Sequence, residues 1–198
     1  MEQAEGWSQY YDKLRDRPPR KTLLAALDAF GDASADSLAV DLGCGDGRDI
    51  VEILRRGWSV VAVDAEPAAL SRLAERNMPG SEKITPILSR MENAPLPLGV
   101  KLVNSSFAMP LCEPESFHAL WARIREALPS GGRFSGQWYG TRDSWVGRPG
   151  MTFLEREQAL ALLAGFDIEM FEEEEADSTT PRGKPKHWHI FHIVARKR

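Results

Sequence analysis

Cysteine is scarce in this chain of 198 residues, with only Cys44 and Cys112 present. Neither has a second cysteine or a histidine at the spacing of a zinc site, so no metal centre is expected. Two isolated thiols build no disulfide framework and fit a reducing compartment. Long apolar runs are absent too, and nothing approaches the roughly 20 residues of a membrane span. Met1 to Asp12 lacks the basic-then-apolar order of a secretory leader. A soluble, cytoplasmic protein is expected. There is also no basic excess: 25 Lys and Arg face 29 Asp and Glu, a formal net charge of -4. Nucleic-acid binders usually carry the opposite balance, so neither nucleic acid nor membrane is an expected partner. There is no internal repeat. The single low-complexity run, Glu172 to Glu175, reads as a solvated face.

What is present is an alternation of short apolar strands and amphipathic helices. Residues 1–20 are polar and aromatic, end at Pro18-Pro19-Arg20, and read as an N-terminal extension or lid. Residues 21–198 read as one domain, a size that buries a sizeable core. Helical spacing of Leu23, Leu24, Leu27 and Phe30 predicts a helix over Lys21 to Phe30, capped by Gly31. Strands are expected at Ser37–Leu42, at Ser59–Val63 closing on Asp64, at Lys83–Leu88, at Leu102–Ser105 and at Arg133–Tyr139. Pro86 cannot donate to a ladder, which assigns the third of these to a sheet edge. Helices are expected over Arg48–Arg56, Pro67–Arg76 and Glu113–Leu128. Thr152-Phe153-Leu154-Glu155 has the spacing of a capping box opening a helix to Ala164. Two last strands, Phe166–Phe171 and Trp188–Ala195, have no helix between them and should form an antiparallel pair. Glu172–Lys186 would join them as an acidic loop. Strands alternating with helices imply an α/β domain with a parallel, doubly wound sheet.

The chemistry concentrates in Val40-Asp41-Leu42-Gly43-Cys44-Gly45-Asp46-Gly47-Arg48-Asp49. Three glycines follow a strand and precede a helix, a context that brings backbone N–H groups close to a ligand. A dinucleotide fingerprint needs glycine at position 48. Arginine stands there, and the third glycine is Gly47. A nucleoside bearing an amino acid fits this spacing better than a diphosphate. Asp41 is placed to hold an ammonium. Asp64, 17 residues beyond Gly47, ends the next strand, where a carboxylate accepts ribose hydroxyls.

These residues, with Val63-Asp64 and Leu128-Pro129-Ser130-Gly131-Gly132-Arg133-Phe134, resemble the class I S-adenosylmethionine-dependent methyltransferases over about residues 35–197. Gly45-Asp46-Gly47-Arg48-Asp49 and His187-Trp188-His189 resemble the small bacterial enzymes of the tellurite-resistance type within that class. The resemblance implies a Rossmann-like seven-stranded sheet of order 3-2-1-4-5-7-6 with the last strand antiparallel. It implies S-adenosylmethionine as cofactor and S-adenosylhomocysteine as product. By family position Gly43, Gly45 and Gly47 line the methionine and ribose, Asp64 takes the ribose, and Ala65 neighbours the adenine. Asn104 and Ser105 offer backbone groups to the methionine end. The family's acid after its third strand has no aligned counterpart in Ser89-Arg90-Met91-Glu92-Asn93. Glu92, beside Met91, is the candidate for the adenine.

Methyl transfer from a sulfonium is an in-line displacement that depends chiefly on positioning, so the absence of a catalytic triad does not exclude it. Phe107, Met109 and Pro110 after the fourth strand, and Trp138, Tyr139, Arg142, Asp143 and Trp145 after the fifth, lie where the acceptor is expected. Trp138 is a candidate catalytic residue there, although aromatics at such positions are commonly core. Arg20 is a candidate partner for the methionine carboxylate. Trp7, Tyr10 and Tyr11 would fold over as a lid. His187 and His189 share one strand face, with His192 on the other. His187 and His189 are the candidate bases, against a purely hydrogen-bonded structural role. A small-molecule acceptor and a monomer or homodimer are expected. A non-catalytic cofactor-binding module using the acidic loop as its contact surface, and a nicotinamide oxidoreductase, are the alternatives.

Overall fold

A computed structural model describes residues 17–31, 37–180 and 183–198. The proposed lid residues Trp7, Tyr10 and Tyr11 lie outside the described residues. Helix α1 (Lys21–Phe30) precedes β1 (Leu38–Leu42), α2 (Ile50–Arg55), β2 (Ser59–Asp64), α3 (Pro67–Glu75), β3 (Ile84–Leu88) and β4 (Leu102–Ser105). After these come α4 (Pro114–Ala127), β5 (Arg133–Gly140), β6 (Phe153–Leu154), α5 (Arg156–Leu162), β7 (Phe166–Thr179) and β8 (Pro185–Lys197). One sheet contains all eight strands, in the order β3-β2-β1-β4-β5-β8-β7, with β6 attached to β5. This is the expected order with one short strand added. β8 runs antiparallel to both β5 and β7, and the other pairings are parallel. Pro86 sits on β3, which pairs only with β2 at the sheet edge.

The central strands are buried on both faces because helices cover both faces. On one face α1 and α2 bring Leu23, Leu27, Ile50 and Ile53 onto Ala39, Val60 and Leu102. On the other face α4 brings Phe117, Leu120, Trp121 and Ile124 onto Val40, Val103 and Phe134. Trp138 belongs to this second core. Its ring lies edge-on to Phe117 and Trp121 at 5.6 and 5.1 Å, and it is fully buried. It does not reach the cleft at the carboxyl ends of the strands, so its place is in the core rather than among the cleft residues. Among the described residues no helix is long and apolar enough to cross a membrane.

Two segments differ from expectation. Thr152 does not cap the helix; its hydroxyl donates to the Cys112 carbonyl at 2.7 Å. The capping box is Glu155 with Gln158, and Phe153–Leu154 pairs with Tyr139–Gly140 as β6. The acidic loop is likewise not a loop. Glu172–Glu175 lies inside β7, and the two last strands form a long hairpin. Each carboxylate of the run meets a cationic or imidazole partner. Glu172 pairs with Lys21, Glu173 with Arg142 and Arg156, Glu174 with His192, and Glu175 with Arg142 and His187. Cross-strand and neighbouring partners of this kind let an acidic run hold strand geometry.

His189 is part of that bracing. Its Nδ1 accepts the Arg142 backbone N–H at 3.0 Å and its Nε2 lies 2.9 Å from Glu173. With both nitrogens engaged and the ring fully buried, His189 is structural. Gly140 makes room for it: a Cβ there would stand 2.0 Å from His189 Nδ1. Gly140→Ala is therefore expected to lower stability by about 1–3 kcal/mol or more through overpacking. The added change His189→Ala should recover part of that loss. Urea unfolding of the single and double variants checks this coupling.

Candidate active site

The carboxyl ends of the parallel strands open onto one cleft of about 1560 Å³. β1 delivers Asp41 and the glycine loop to its floor. The loop hangs from the neighbouring strand, since Gly43 and Cys44 both donate their N–H to the Val63 carbonyl, at 2.8 and 2.9 Å. Gly43 has φ +73°, and a Cβ on it would stand 2.3 Å from the Ala108 Cβ. Glycine is required there on both counts. Gly47 has a different task. A Cβ there would stand 2.4 Å from Leu73 of α3, so this glycine lets helix and loop pack closely. Gly43 and Gly45 line the cleft; Gly47 does not.

Asp64 closes β2 at the cleft, where its two oxygens accept the N–H groups of Gly45 and Glu66 at 2.8 and 2.9 Å. Burial raises its pKa, and those N–H groups oppose the rise. Asp64 thus ties the end of β2 to the glycine loop. Ala65, Met91 and Glu92 complete this side of the cleft. The short 3-10 turn Met91–Asn93 carries the last two, and Arg90 pairs with Glu92 at 2.5 Å. Cys112 Sγ lies 3.8 Å from Glu92, and burial pushes the Cys112 thiol up to about 12.

Beneath the floor lies a buried polar network. Asn104 Nδ2 donates to Asp41 at 2.8 Å and to Asp49 at 3.1 Å. Ser135 donates to Asn104 Oδ1 at 2.7 Å, which fixes the amide's orientation. Ser106 and the Arg20 backbone N–H donate to Asp49 at 2.5 and 2.9 Å. Burial raises the Asp41 pKa well above the usual carboxylate value, and the Asp49 charge raises it further. Asn104 and Ser105 are themselves fully buried and do not line the cleft. The amide of Asn104 holds the two carboxylates, and the Ser105 hydroxyl donates to the Leu42 carbonyl and accepts the Met109 N–H. Ser106 and Phe107, just beyond them, are the residues that reach the cleft.

The opposite end of the cleft is aromatic. Phe107 has φ +58°, an uncommon conformation for a bulky residue. Its N–H is held by Gln137 Oε1 at 3.1 Å, and Gln137 in turn donates to Thr22. The Phe107 ring lies 6.3 Å from Tyr139, 6.3 Å from Trp188 and 6.4 Å from His192. The Arg20 guanidinium covers it at 4.3 Å. Arg148 covers the Trp145 ring, which packs on Tyr139 and Trp188, and Arg17 and Lys184 also line the cleft.

The predicted site residues separate accordingly. Arg20, Asp41, Gly43, Gly45, Asp64, Ala65, Met91 and Glu92 meet at the cleft. Asn104, Ser105 and Gly47 support it from behind. His187 lies on the other sheet face, bound to Asp177 at 2.7 Å and Glu175 at 3.2 Å. Those carboxylates raise its pKa, so an imidazolium is favoured, and it does not line the cleft. Sequence reasoning missed Asp49, Gln137, Glu174, Trp188 and His192. Strand alternation from Trp188 pairs it with His192, but periodicity alone does not say which face meets a ligand.

Residues 39–132 match the methyltransferase domain family. No curated protein sequence matches the chain. Solved structures share its fold. TehB from Haemophilus influenzae is 16% identical with a TM-score of 0.77, over 96% of this chain and 66% of that one. The chain thus spans just under two thirds of that protein. A TehB-like SAM-dependent methyltransferase from Corynebacterium glutamicum is 18% identical with a TM-score of 0.65, over 99% and 98%. The 1,6-didemethyltoxoflavin-N1-methyltransferase of Burkholderia thailandensis, with S-adenosylhomocysteine bound, is 19% identical with a TM-score of 0.67, over 98% and 86%. By its matched segment and its fold the chain is similar to methyltransferases whose methyl donor is S-adenosylmethionine. Its fold is similar to that of the TehB and TehB-like structures.

The site fits that donor on chemical grounds. A glycine cradle without a phosphate-spaced third glycine suits an adenosyl group. Among the described residues no cationic side chain pairs with the two buried carboxylates that share one amide, a place that a ligand ammonium would suit. Asp41 provides the test. Its raised pKa means that stability is fully present below the unfolded carboxylate pKa and is lost as pH rises through the folded value. Asp41→Asn should therefore raise the Tm of the ligand-free protein at pH 8, by ~2–4 °C per kcal/mol of repulsion relieved, and flatten its fall with pH. The same variant should lose most of the Tm gain that S-adenosylhomocysteine confers. Thermal unfolding across pH, with and without that ligand, reads both.

Proposed function

We propose that this chain transfers the methyl group of S-adenosylmethionine to a small, flat acceptor that carries negative charge. The observation behind this reading is the single cleft with an acidic, glycine-lined end and an aromatic, basic end. Its volume of about 1560 Å³ exceeds the roughly 300–1,000 Å³ of a common ligand pocket, which suits two ligands side by side. Asp41 would take the donor's ammonium, Arg20 its carboxylate, and Asp64 its ribose hydroxyls. Ala65, Met91 and Glu92 would enclose the adenine. The bound sulfonium supplies an already activated methyl group. Phe107, Tyr139 and Trp188 would hold a planar acceptor, and the aromatic faces also favour a sulfonium through cation–π attraction. Arg148, which covers the Trp145 ring, favours a negative substituent on it.

Calorimetry with S-adenosylhomocysteine and with NAD tests the donor. Saturable binding of the first alone is expected, and binding of NAD alone would sink the reading. Asp64→Asn should weaken S-adenosylhomocysteine by roughly 10–100-fold, the worth of hydrogen bonds to a charged group.

A further inference from the structure

We infer that His192, oriented by Glu174, is the general base that takes the proton of the methyl acceptor, and that the acceptor is therefore a protic nucleophile. This rests on the methyl-transfer reading above and names the residue and substrate class it left open. His192 stands on β8 beside the aromatic end of the cleft and is 95% buried by its 5% exposure. Its Nε2 lies 2.8 Å from Glu174 Oε2. Its Nδ1 is buried and has no hydrogen-bond partner among the described residues. A carboxylate on Nε2 holds the proton there, which leaves the Nδ1 lone pair as the free acceptor. A buried imidazole nitrogen without a partner is costly unless a ligand fills the role.

The position suits the task. The His192 ring is 6.4 Å from Phe107, and the next residue, Ala108, abuts Gly43 of the cofactor loop. The imidazole thus sits where the aromatic wall meets the donor end. A β-bulge makes the pair possible. The register shifts between Ile168 and Met170, so Glu172 and Glu174 share the cleft face with His192, and Glu173 and Glu175 turn away. Without that shift Glu174 would face the other side.

The charged groups around the imidazole are Glu172 and Glu174 from β7 and Lys21 from α1, with neutral Gln137 opposite on β5. Arg20 lies beyond the Phe107 ring. Burial lowers the His192 pKa; Glu174 opposes this, Lys21 adds to it, and Glu172 opposes it. His192 is then neutral and able to accept a proton at pH 7. In the transfer, the acceptor's lone pair bonds the methyl carbon as the carbon–sulfur bond breaks toward sulfur. The acceptor's proton moves to Nδ1, the imidazolium is stabilised by Glu174, and the proton then leaves to solvent.

Two measurements test this. Nitrogen-15 spectra of histidine-labelled protein should show His192 as the Nε2–H tautomer, titrating below the free-imidazole value of about 6.5. A Nδ1–H tautomer, or titration above that value, overturns the inference without any acceptor. Transfer from methyl-labelled S-adenosylmethionine is then followed to 4-hydroxybenzoate, thiosalicylate and anthranilate, which carry removable protons, and to nicotinate and 4-(methylthio)benzoate, which do not at the attacking atom. Transfer to the protic group alone is expected. His192→Gln should lower kcat by about 10²–10⁴-fold and remove the acid limb of the pH profile, with S-adenosylhomocysteine affinity unchanged. Glu174→Gln, acting through His192, should lower kcat less and shift that limb. Undiminished transfer by His192→Gln, or equal transfer to the proton-free acceptors, overturns the proposal and leaves methyl transfer standing. Failure of the wild-type protein to bind S-adenosylhomocysteine sinks the methyl-transfer reading instead. If no acceptor in the panel reacts, the tautomer and its titration decide.

Discussion

Asn104 stands between two buried carboxylates, Asp41 and Asp49, and donates to both from one amide nitrogen. Much of the cofactor end is arranged around that bridge. Asp41 lies one residue before the end of β1 and Asp49 precedes α2, so the bridge clamps the strand and helix that flank the glycine loop. Ser135 orients the amide from β5, and the backbone of Arg20 reaches Asp49 from the N-terminal side. Five separate segments thus converge on one polar cluster under the floor of the cleft. Buried like charges are costly, and here the cost is concentrated at the floor of the cleft.

The aromatic end is built on a different principle. It is the sheet surface itself, made of alternate residues on β5, β7 and β8. Gln137 and Tyr139, Trp188 and His192, and Glu174 all project to the same side. The opposite side carries Trp138, Phe191 and Ile193 into the core with α4. Each strand therefore serves packing with one set of residues and the site with the other. Phe107 links the two ends, held in its left-handed conformation by Gln137.

Much of this was legible beforehand. The strand order follows from the resemblance of the motifs to a known family, and the edge placement of Pro86 and the helices α1 to α4 from periodicity, caps and the proline rule. The glycine loop with Asp64 was legible because its local geometry depends on contiguous residues. The acidic stretch of β7 was not. Its charges read as solvent-facing, and only the facing arginines and histidines, distant in sequence, hold them in a strand. The histidines were misassigned for the same reason. His187 and His189 share a face, as strand period requires, but that face packs against Glu173, Glu175 and Arg142.

The linear order of residues determined the fold class, the glycine loop and the placement of Asp41 and Asp64 beside it, because strand–glycine–helix geometry is local. The assignment of faces was decided by the assembled sheet. A strand's period of two sorts its residues into two sets and does not say which set meets the ligand. The bulge between Ile168 and Met170 and the pairing of β8 with β5 settle that choice. They direct His192 and Glu174 to the cleft and Trp138 and His189 away from it.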